Sequence, residues 1–301
     1  MPGRRKDSHR GGGNINTLEI GLCGSTVMDT GLVDLIDLAV RHGFPNISVR
    51  PSSFTEALKQ GHTETSLRQL LSELGVRVTQ IDALTATLPG ARPLDSSNER
   101  LRAIYPYDCF FPPSEEDCMR AAEVLGAPYV NITHFGGSSV PLDELARAIG
   151  ALCRRAAARG LGISLEFVPG TGLPDIATAE TMIRTCGEPN FRITLDPWHL
   201  ARSGGSVDDI SHLPPNSIAL VQLCDLTRHS MGAGPLTGRS LPGEGEMPLV
   251  ALAEAALANS PDCAFAVEWF SAETQGKTPD QIAARVATAT RSWQAALRRL
   301  A

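Results

Sequence analysis

Residues 191–204 read FRITLDPWHLARSG and contain an apolar run that ends in a carboxylate. The first five residues have the composition of a buried strand, and Asp196 follows them directly. His199 comes three residues later, and we expect it to precede the start of a helix. A charge at the end of a buried strand is costly unless a metal ion or hydrogen bonds compensate it. The stretch therefore predicts a strand that directs a carboxylate to the mouth of a sheet.

Three other runs share this form, with five to seven apolar residues and one polar group near the carboxyl end. They are GISLEFVP with Glu166, IALVQLCD with Gln222, and CAFAVEWF with Glu268. Parallel strands end at one edge of a sheet, so these side chains should converge with Asp196. Carboxylate and amide oxygens suit Mg²⁺, Mn²⁺ or a similar hard divalent ion. Four such residues in register favour one metal site over separate helix caps or ion pairs.

The fold follows from the alternation of short apolar runs with helical patterns, of which eight pairs can be counted from Thr17 onward. Strict alternation implies a parallel sheet, and eight units can close into a (β/α)8 barrel. An open doubly wound sheet would more often carry a Gly-rich phosphate loop, which GLCGSTVMDTG matches only weakly. We therefore expect an α/β fold, a single-domain TIM barrel over residues 17–301, after a disordered Gly-rich extension at 1–16. The predicted strands are 18–24, 46–51, 76–84, 129–135, 162–168, 191–196, 218–225 and 263–270.

Composition and charge limit the classes of partner. The chain is 42% hydrophobic and 20% charged, as in ordinary folded domains. A net charge of -6 argues against nucleic acid, and no run approaches the roughly 18 apolar residues of a membrane span. The seven cysteines are scattered and lack CxxC spacing, which indicates reduced, packed thiols and a cytoplasmic protein. A small-molecule substrate is the natural expectation.

Two predicted loops after strands 3 and 7 are long, at residues 85–113 and 226–248. In a barrel both would border the mouth, where active sites are built. The first loop carries an aromatic cluster that we expect to act as a packed lid or as a contact in a homo-oligomer. Its members are Tyr105, Tyr107, Phe110 and Phe111.

Histidines and one aspartate are further candidates for the site. His199 could bind metal, transfer protons or simply make structural hydrogen bonds. His134 holds a similar position at the end of strand 4, and His62 lies in the loop after strand 2. Asp82 ends strand 3, where contact with substrate and a helix-capping role are equally plausible.

The segment LTGRSLPGEGEMPL places an arginine before a turn of Pro and Gly, with a helix expected from Pro248. A rigid turn can hold a guanidinium over the mouth, so we expect Arg239 to bind a carboxylate, phosphate or hydroxyl of the substrate, with a surface salt bridge as the alternative. Arg228 and Arg50 are further candidates.

Together these motifs resemble the xylose isomerase-like barrel superfamily from Thr17 to the C-terminus. The superfamily contains sugar (phosphate) isomerases and epimerases, inosose dehydratases, dehydroshikimate dehydratases and endonuclease IV-type enzymes. The resemblance implies one divalent ion, with Mn²⁺ or Mg²⁺ first and Co²⁺, Fe²⁺ or Zn²⁺ as alternatives. It also implies that His199 lies beside the substrate and that two glutamates transfer protons. The motifs are SLEFVPG with Glu166, TLDPWHLARSG with Asp196 and His199, VQLCD with Gln222, RSLPGEGEMPL, and AVEWF with Glu268.

The chain departs from the common pattern twice, since Gln222 stands where histidine is usual and Ser48 where a glutamate is common. An amide oxygen can still ligate, and dehydroshikimate dehydratase-like members resemble the chain in this respect. We expect a metal-dependent isomerase or epimerase that enolises a keto sugar or another small polyhydroxylated keto compound. A dehydratase of a cyclic keto polyol, such as 3-dehydroshikimate or an inosose, is the alternative. An endonuclease would need more histidine ligands and a basic face, and a non-catalytic binding subunit would lack the carboxylates.

Overall fold

A computed structural model of the protein describes residues 15–28, 30–103, 105–137, 139–228 and 238–300. Eight parallel strands form a closed barrel in sequence order, and β1 pairs with β8 to complete it. The predicted single-domain (β/α)8 barrel is therefore confirmed. The strands are β1 Ile20–Cys23, β2 Asn46–Val49, β3 Arg77–Leu84, β4 Tyr129–Ile132, β5 Gly162–Glu166, β6 Phe191–Leu195, β7 Ile218–Leu223 and β8 Ala264–Val267.

Most strands end earlier than the sequence predicts. The run 129–135 pairs only to Ile132, and the run 263–270 only to Val267. Trp269 and Phe270 are nevertheless buried, because they pack at the mouth instead of continuing the sheet. Apolar character thus marks burial at these positions and does not mark the end of strand pairing. The first fourteen residues of the extension predicted at 1–16 lie outside the described residues, and the described chain starts with a 3-10 helix at Ile15–Thr17.

Helices surround the barrel and connect its strands. Several end at a glycine with positive φ, such as Gly43 at 78° and Gly75 at 67°, which leaves the chain free to turn back toward the next strand. The helices are α1 Leu32–His42, α2 Pro51–Lys59, α3 Glu64–Leu74, α4 Glu99–Arg102, α5 Glu115–Leu125, α6 Leu142–Ala157, α7 Ile176–Cys186, α8 Pro197–Arg202, α9 Val207–Ile210, α10 Leu249–Asn259 and α11 Pro279–Leu300. Within the described residues, none of them combines the length and apolar character needed to cross a bilayer.

Helix α8 corrects one expectation about the deciding stretch. It begins at Pro197, directly after β6, so His199 lies inside the helix and not before it. The reason is local: Asp196 accepts a hydrogen bond from the Trp198 backbone N–H, and proline at the first helical position has a preset φ. The carboxylate that ends β6 therefore also caps a helix, and the helix carries His199 back toward it.

Two levels of polar side chains fill part of the barrel interior. The lower layer consists of Gln80, Ser164 and Thr194, all fully buried. Because side chains on one face of a strand recur every second residue, each is followed two positions later by an acidic residue nearer the mouth. These acidic residues and the glutamate that follows β8 form what we call the charged layer, which consists of Asp82, Glu166, Asp196 and Glu268.

Cys23, Leu220 and Ala266 form one buried apolar cluster inside the barrel, and Ser48, which is in register with Cys23 and Gln80, adds a further buried polar side chain. The prediction for the cysteines is confirmed, since all seven are free thiols and six of them are buried.

Candidate active site at the mouth of the barrel

Glu166, Asp196 and His199 meet at the carboxyl ends of β5 and β6. His199 Nε2 lies 3.2 Å from Glu166 Oε1 and 3.6 Å from Asp196 Oδ2. One ligand atom from each residue falls within 4.8 Å of the other two, which is the spacing that a single metal ion can bridge. All three residues are buried. The structure thus brings together two of the predicted ligands and adds the histidine to them.

Arg239 joins this group from the segment after β7. Its Nη2 donates to Asp196 Oδ2, and the same nitrogen lies 3.2 Å from Glu268 Oε2 and 3.5 Å from His199 Nε2. The arginine side chain is fully buried. The surface salt bridge considered for Arg239 is therefore wrong, because its guanidinium lies among the carboxylates.

Glu268 and Gln222 complete the ring on the β7 and β8 side. Glu268 Oε1 accepts from the Ser25 hydroxyl at 2.7 Å and from Gln222 Nε2 at 3.3 Å. Gln222 Nε2 also donates to Asp82 Oδ2 at 3.0 Å, while its Oε1 is buried and accepts no hydrogen bond within the described chain. Because the amide nitrogen faces two carboxylates, the orientation of the amide is set by its neighbours. In this orientation Nε2 and not Oε1 faces the carboxylates, so Oε1 could ligate a cation bound among them only with the amide turned over.

Asp82 and Asn131 close the ring on the β3 and β4 side. Asn131 Nδ2 donates to Asp82 Oδ1 at 2.8 Å and to Glu166 Oε2 at 3.1 Å. Asn131 therefore links carboxylates from two different strands, and Asp82 is held by two amides. Sequence analysis missed Asn131 and Ser25. Asn131 carries a detectable signal, an amide inside the apolar run of β4, whereas a serine after β1 carries none.

Electrostatics separate these acids into two kinds. Burial raises the pKa of Glu166 well above its usual range, and the neighbouring Asp82 and Asp196 charges raise it further. Burial likewise raises the pKa of Glu268, against the opposing effect of Arg239. Burial also acts to raise the pKa of Asp196, but Arg239 and His199 outweigh it and bring that pKa below its usual range.

His199 and Asp82 are shifted by the same burial. Burial lowers the pKa of His199 to about 4, although Asp196 opposes the shift, so the imidazole is neutral at neutral pH. The pKa of Asp82 is raised by burial, which outweighs its bonds with Asn131 and Gln222.

The donor set fits a divalent cation. Three buried acids and the half-buried Asp82 face a single guanidinium and a neutral histidine, so the ionised ring would carry excess negative charge. Glu166, Asp196 and Glu268 offer carboxylate oxygens, and Gln222 offers its unbonded amide oxygen. Hard divalent ions prefer such oxygen donors, with imidazole nitrogen as a common addition.

The segment that carries Arg239 is held by a buried aspartate. Asp225 exchanges backbone hydrogen bonds with Ser240 as an antiparallel bridge. Its carboxylate accepts from the backbone N–H groups of Leu226, Gly243 and Met247 at 2.8, 3.1 and 3.0 Å. Gly245 packs so closely that a Cβ there would meet Asp225 Oδ1 at 2.3 Å. The PGEG turn is thus rigid, as the sequence suggested.

A cavity opens above the ring. Its walls combine the acids with aromatic and small side chains from the loops after β3, β4 and β8. Tyr105 of the aromatic cluster lines it and packs edge-on against Phe135, with ring centroids 6.0 Å apart. Phe110 is buried, whereas Tyr107 and Phe111 stack on each other and are exposed. Tyr105 is thus the member of the aromatic cluster that lines the cavity. The packed lid and the oligomer contact expected of this loop stay predictions. Besides Tyr105, the polar lining residues are Ser25, Asp82, Thr85, Asp108, Thr133, Glu166, His199, Arg239 and Glu268.

Four predicted substrate contacts lie away from this cavity. His134 is fully buried, and its Nε2 bonds to the Pro89 carbonyl at 2.9 Å, so it holds two loops together. The Arg228 side chain is 94% exposed and lies 3.7 Å from a Glu246 oxygen. Arg50 donates to the Thr30 carbonyl at 3.1 Å. His62 lies in the turn between α2 and α3. The second of the predicted long loops is only partly described, since residues 229–237 fall outside the described residues.

Comparison with solved structures finds the same architecture in several proteins. The IolI protein with a bound zinc atom is 18% identical, with a TM-score of 0.74 over 92% of this chain and 98% of that one. An L-ribulose 3-epimerase is 16% identical, with a TM-score of 0.66 over 94% and 96% of the two chains. The probable 3-DHS dehydratase AsbF of Bacillus anthracis is 16% identical, with a TM-score of 0.65 over 91% and 99%.

These similarities establish the fold and not the reaction, because the identities are low. No curated protein matches the sequence. The sequence does match, over residues 36–297, the family described as "Xylose isomerase-like TIM barrel". The matched range spans most of the barrel, including every member of the charged layer. The chain therefore belongs to the xylose isomerase-like TIM barrel family.

Proposed function

We propose that the protein is a divalent-metal-dependent isomerase or epimerase that enolises a small polyhydroxylated keto compound. The observation that carries the proposal is the convergence of Glu166, Asp196, His199 and Glu268 on one buried ring at the barrel mouth. An epimerase and the zinc-binding IolI protein share the fold, which is consistent with this chemistry. The substrate class is a keto sugar, a sugar phosphate or a related polyol.

A bound ion would be held by Glu166, Asp196, Gln222 and Glu268, with His199 beside it. When bound, the ion would supply a Lewis acid that polarises the substrate carbonyl and stabilises negative charge on its oxygen. The IolI structure contains zinc, and Mn²⁺ or Mg²⁺ also suits a set dominated by oxygen donors.

Glu166 and Glu268 are the proposed proton-transfer groups. They end or follow β5 and β8, which are three places apart in the ring of eight strands, so they approach the cavity from different sides. One carboxylate accepts the proton on the carbon next to the carbonyl, and the C–H electron pair passes into an enolate. The other glutamate, in its acid form, returns a proton to the opposite face for epimerisation. For isomerisation a proton returns to the adjacent carbon, and the neighbouring hydroxyl proton passes to the former carbonyl oxygen. The raised pKa of both acids favours their protonated forms, as a proton donor requires.

Several residues would orient the substrate in this scheme. Asp82 and Arg239 line the cavity with polar groups that suit hydroxyl oxygens. The neutral His199 can donate one hydrogen bond and accept another, which suits a substrate hydroxyl. Tyr105, Phe135 and Phe270 form apolar walls that would exclude water from the reacting carbon.

One observation favours a dehydratase as the second candidate. Gln222 stands at a position that is usually histidine in the superfamily. Dehydroshikimate dehydratase-like members resemble this chain in having an amide ligand there, and a probable 3-DHS dehydratase shares the fold. The two reactions have the same first step. They differ afterwards, because a dehydratase expels the β-hydroxyl, which leaves as water after receiving a proton from a glutamic acid.

Solvent deuterium incorporation tests the proposal. The protein is stripped with chelator, reloaded with Mn²⁺ and incubated in D2O with keto sugars, inososes and 3-dehydroshikimate. Mass spectrometry should show deuterium gain without loss of water, absent in Glu268→Gln and retained in Glu244→Gln, whose carboxylate pairs with Arg285 at the surface. Loss of water would move the protein to the dehydratases. No exchange, together with no retained metal, would contradict both reactions.

A further inference from the structure

Arg239 lies where a metal ion would need to bind. Its Nη2 contacts Asp196 Oδ2 and lies 3.2 Å from Glu268 Oε2, and both carboxylates belong to the proposed ligand set. The other oxygen of Asp196 is already engaged, because Oδ1 accepts from the Trp198 N–H at 2.7 Å and lies 3.2 Å from Cys224 Sγ. Oδ2 lies 3.6 Å from His199 Nε2 and so is the oxygen nearer to the other possible ligand atoms, and it is also the oxygen that the guanidinium contacts.

Neighbouring aromatic rings and backbone groups hold the guanidinium in place. Its carbon lies 5.7 Å from the centre of the Trp198 ring and 5.0 Å from that of Phe270, at cation–π distances. The backbone is held too, since the Arg239 N–H donates to the Phe270 carbonyl at 3.3 Å and the Trp269 indole donates to the Arg239 carbonyl at 3.2 Å. A fully buried arginine so enclosed is part of the site and not a surface side chain that has folded inward.

The balance of charge in the ring explains why a cation at this position is stabilising. Without an ion, the charged layer has Arg239 as its one cation within the described chain, so the guanidinium keeps buried carboxylates from facing only one another. With an ion at Asp196 and Glu268, a guanidinium on the same oxygens would face a divalent charge a few ångströms away. Both cations need one oxygen, and their repulsion disfavours sharing it.

We propose that Arg239 is an internal counter-cation of the metal-free site, and that a divalent ion must displace its guanidinium from Asp196 to bind. This inference rests on the proposed metal dependence. The arginine keeps the ligands assembled before the ion arrives and lowers the apparent metal affinity by the free energy of the contacts that break. Once displaced, its guanidinium is available to a hydroxyl or anionic group in the cavity.

Calorimetric titration of chelator-stripped protein with Mn²⁺ tests the proposal without any activity assay. Arg239→Ala should bind Mn²⁺ about tenfold more tightly than the wild type, a factor equivalent to about 1.4 kcal/mol. Its thermal midpoint without metal should fall, because the buried carboxylates lose their cation. Arg285→Ala is the matched control, since it removes an exposed arginine that pairs with Glu244, and it should bind Mn²⁺ like the wild type.

Free guanidinium supplies a second arm. Ethylguanidinium at millimolar concentration should refill the space left in Arg239→Ala and weaken its Mn²⁺ binding, with no effect on the wild type. If Arg239→Ala does not fold, Arg239→Lys replaces it and should bind Mn²⁺ more tightly than the wild type, because the compact ammonium makes fewer contacts.

The outcomes separate this inference from the proposed function. Equal or weaker Mn²⁺ binding by the folded Arg239 variant, with metal bound by the wild type, overturns the inference and leaves the metal site intact. Binding by the variant alone supports the inference strongly. Absence of binding by the wild type and all variants overturns both.

Discussion

The lower layer and the charged layer lie two residues apart on β3, β5 and the β6 run, yet they differ in how their polar atoms are compensated. In the lower layer the Thr194 hydroxyl donates to Gln80 Oε1 at 3.0 Å, and the Ser164 hydroxyl lies 3.3 Å from the same oxygen. In the charged layer one guanidinium lies among acids of two kinds, because the pKa of Glu166 and Glu268 is raised and that of Asp196 is lowered. The neutral network suits a rigid floor, whereas the charge imbalance above it suits a site that binds a cation and moves protons.

The largest expected effect is on turnover in the charged layer. Glu166→Gln and Glu268→Gln each remove a proton-transfer group and should lower the rate of solvent exchange about 10²- to 10⁴-fold. Neither change should lower the thermal midpoint of the metal-free protein, because each removes a charge from a crowded buried ring. Exchange rates and melting curves, with Glu244→Gln as control, measure both effects. If the exchange rate of a glutamate variant fell only as much as its folded fraction, the proposed functional difference between the two layers would be contradicted.

The next effect is on stability in the lower layer. Gln80→Leu removes the acceptor of the buried Thr194 hydroxyl, whereas the Ser164 hydroxyl keeps Asn131 Oδ1 at 3.2 Å, and the change should lower the free energy of unfolding by roughly 2 kcal/mol. Activity of the folded fraction should change far less than in the glutamate variants. Urea unfolding and exchange rates on the same samples measure the two quantities. Equal stability with a large loss of activity would place Gln80 functionally with the charged layer.

A pH effect of similar size is expected at His199 in the metal-free protein. The folded pKa is lowered to about 4, so between the usual value near 6.5 and about 4 the unfolded chain binds a proton that the folded chain does not. The contribution of His199 to the free energy of unfolding is therefore fully present above about pH 6.5. It decreases as the pH falls, and the loss reaches about 2 kcal/mol at pH 5. Denaturant unfolding at several pH values should show this loss in the wild type, after subtraction of the profile of His199→Gln. Parallel profiles for the two proteins would contradict it.

The smallest expected effect is Thr194→Val, which removes one of the two hydroxyls near Gln80 and keeps the shape of the side chain. We expect a loss of about 1 kcal/mol in unfolding free energy and nearly unchanged exchange activity. A double-mutant cycle with Gln80→Leu would show whether the loss comes from their mutual hydrogen bond. Independent, additive effects would indicate that the lower layer does not act as a network.

The sequence predicted the barrel and most of the ring, because each strand carries its own local signal. A carboxylate after an apolar run marks Glu166, Asp196 and Glu268 without knowledge of any partner. Closure then follows from the number of βα units and needs no long-range information.

Other features could not be predicted because they depend on distant contacts. The turn motif predicted that Arg239 lies over the mouth, but its contacts with Asp196 and Glu268 depend on the bridge between Asp225 and Ser240 and on the indole of Trp269, which no local pattern encodes. The role of Asn131 depends on acids from two other strands. His134 has the sequence position of a substrate contact, but its partner is the Pro89 carbonyl of a neighbouring loop.

Anomalous diffraction from crystals of the protein grown with Mn²⁺ tests the central claim most directly. The account predicts one strong peak at the barrel mouth, within coordination distance of Glu166, Asp196 and Glu268, with the Gln222 amide oxygen facing it and the lower layer unchanged. A peak elsewhere, or no peak in protein that is folded and saturated with Mn²⁺, would contradict the assignment of the charged layer as a metal-dependent active site.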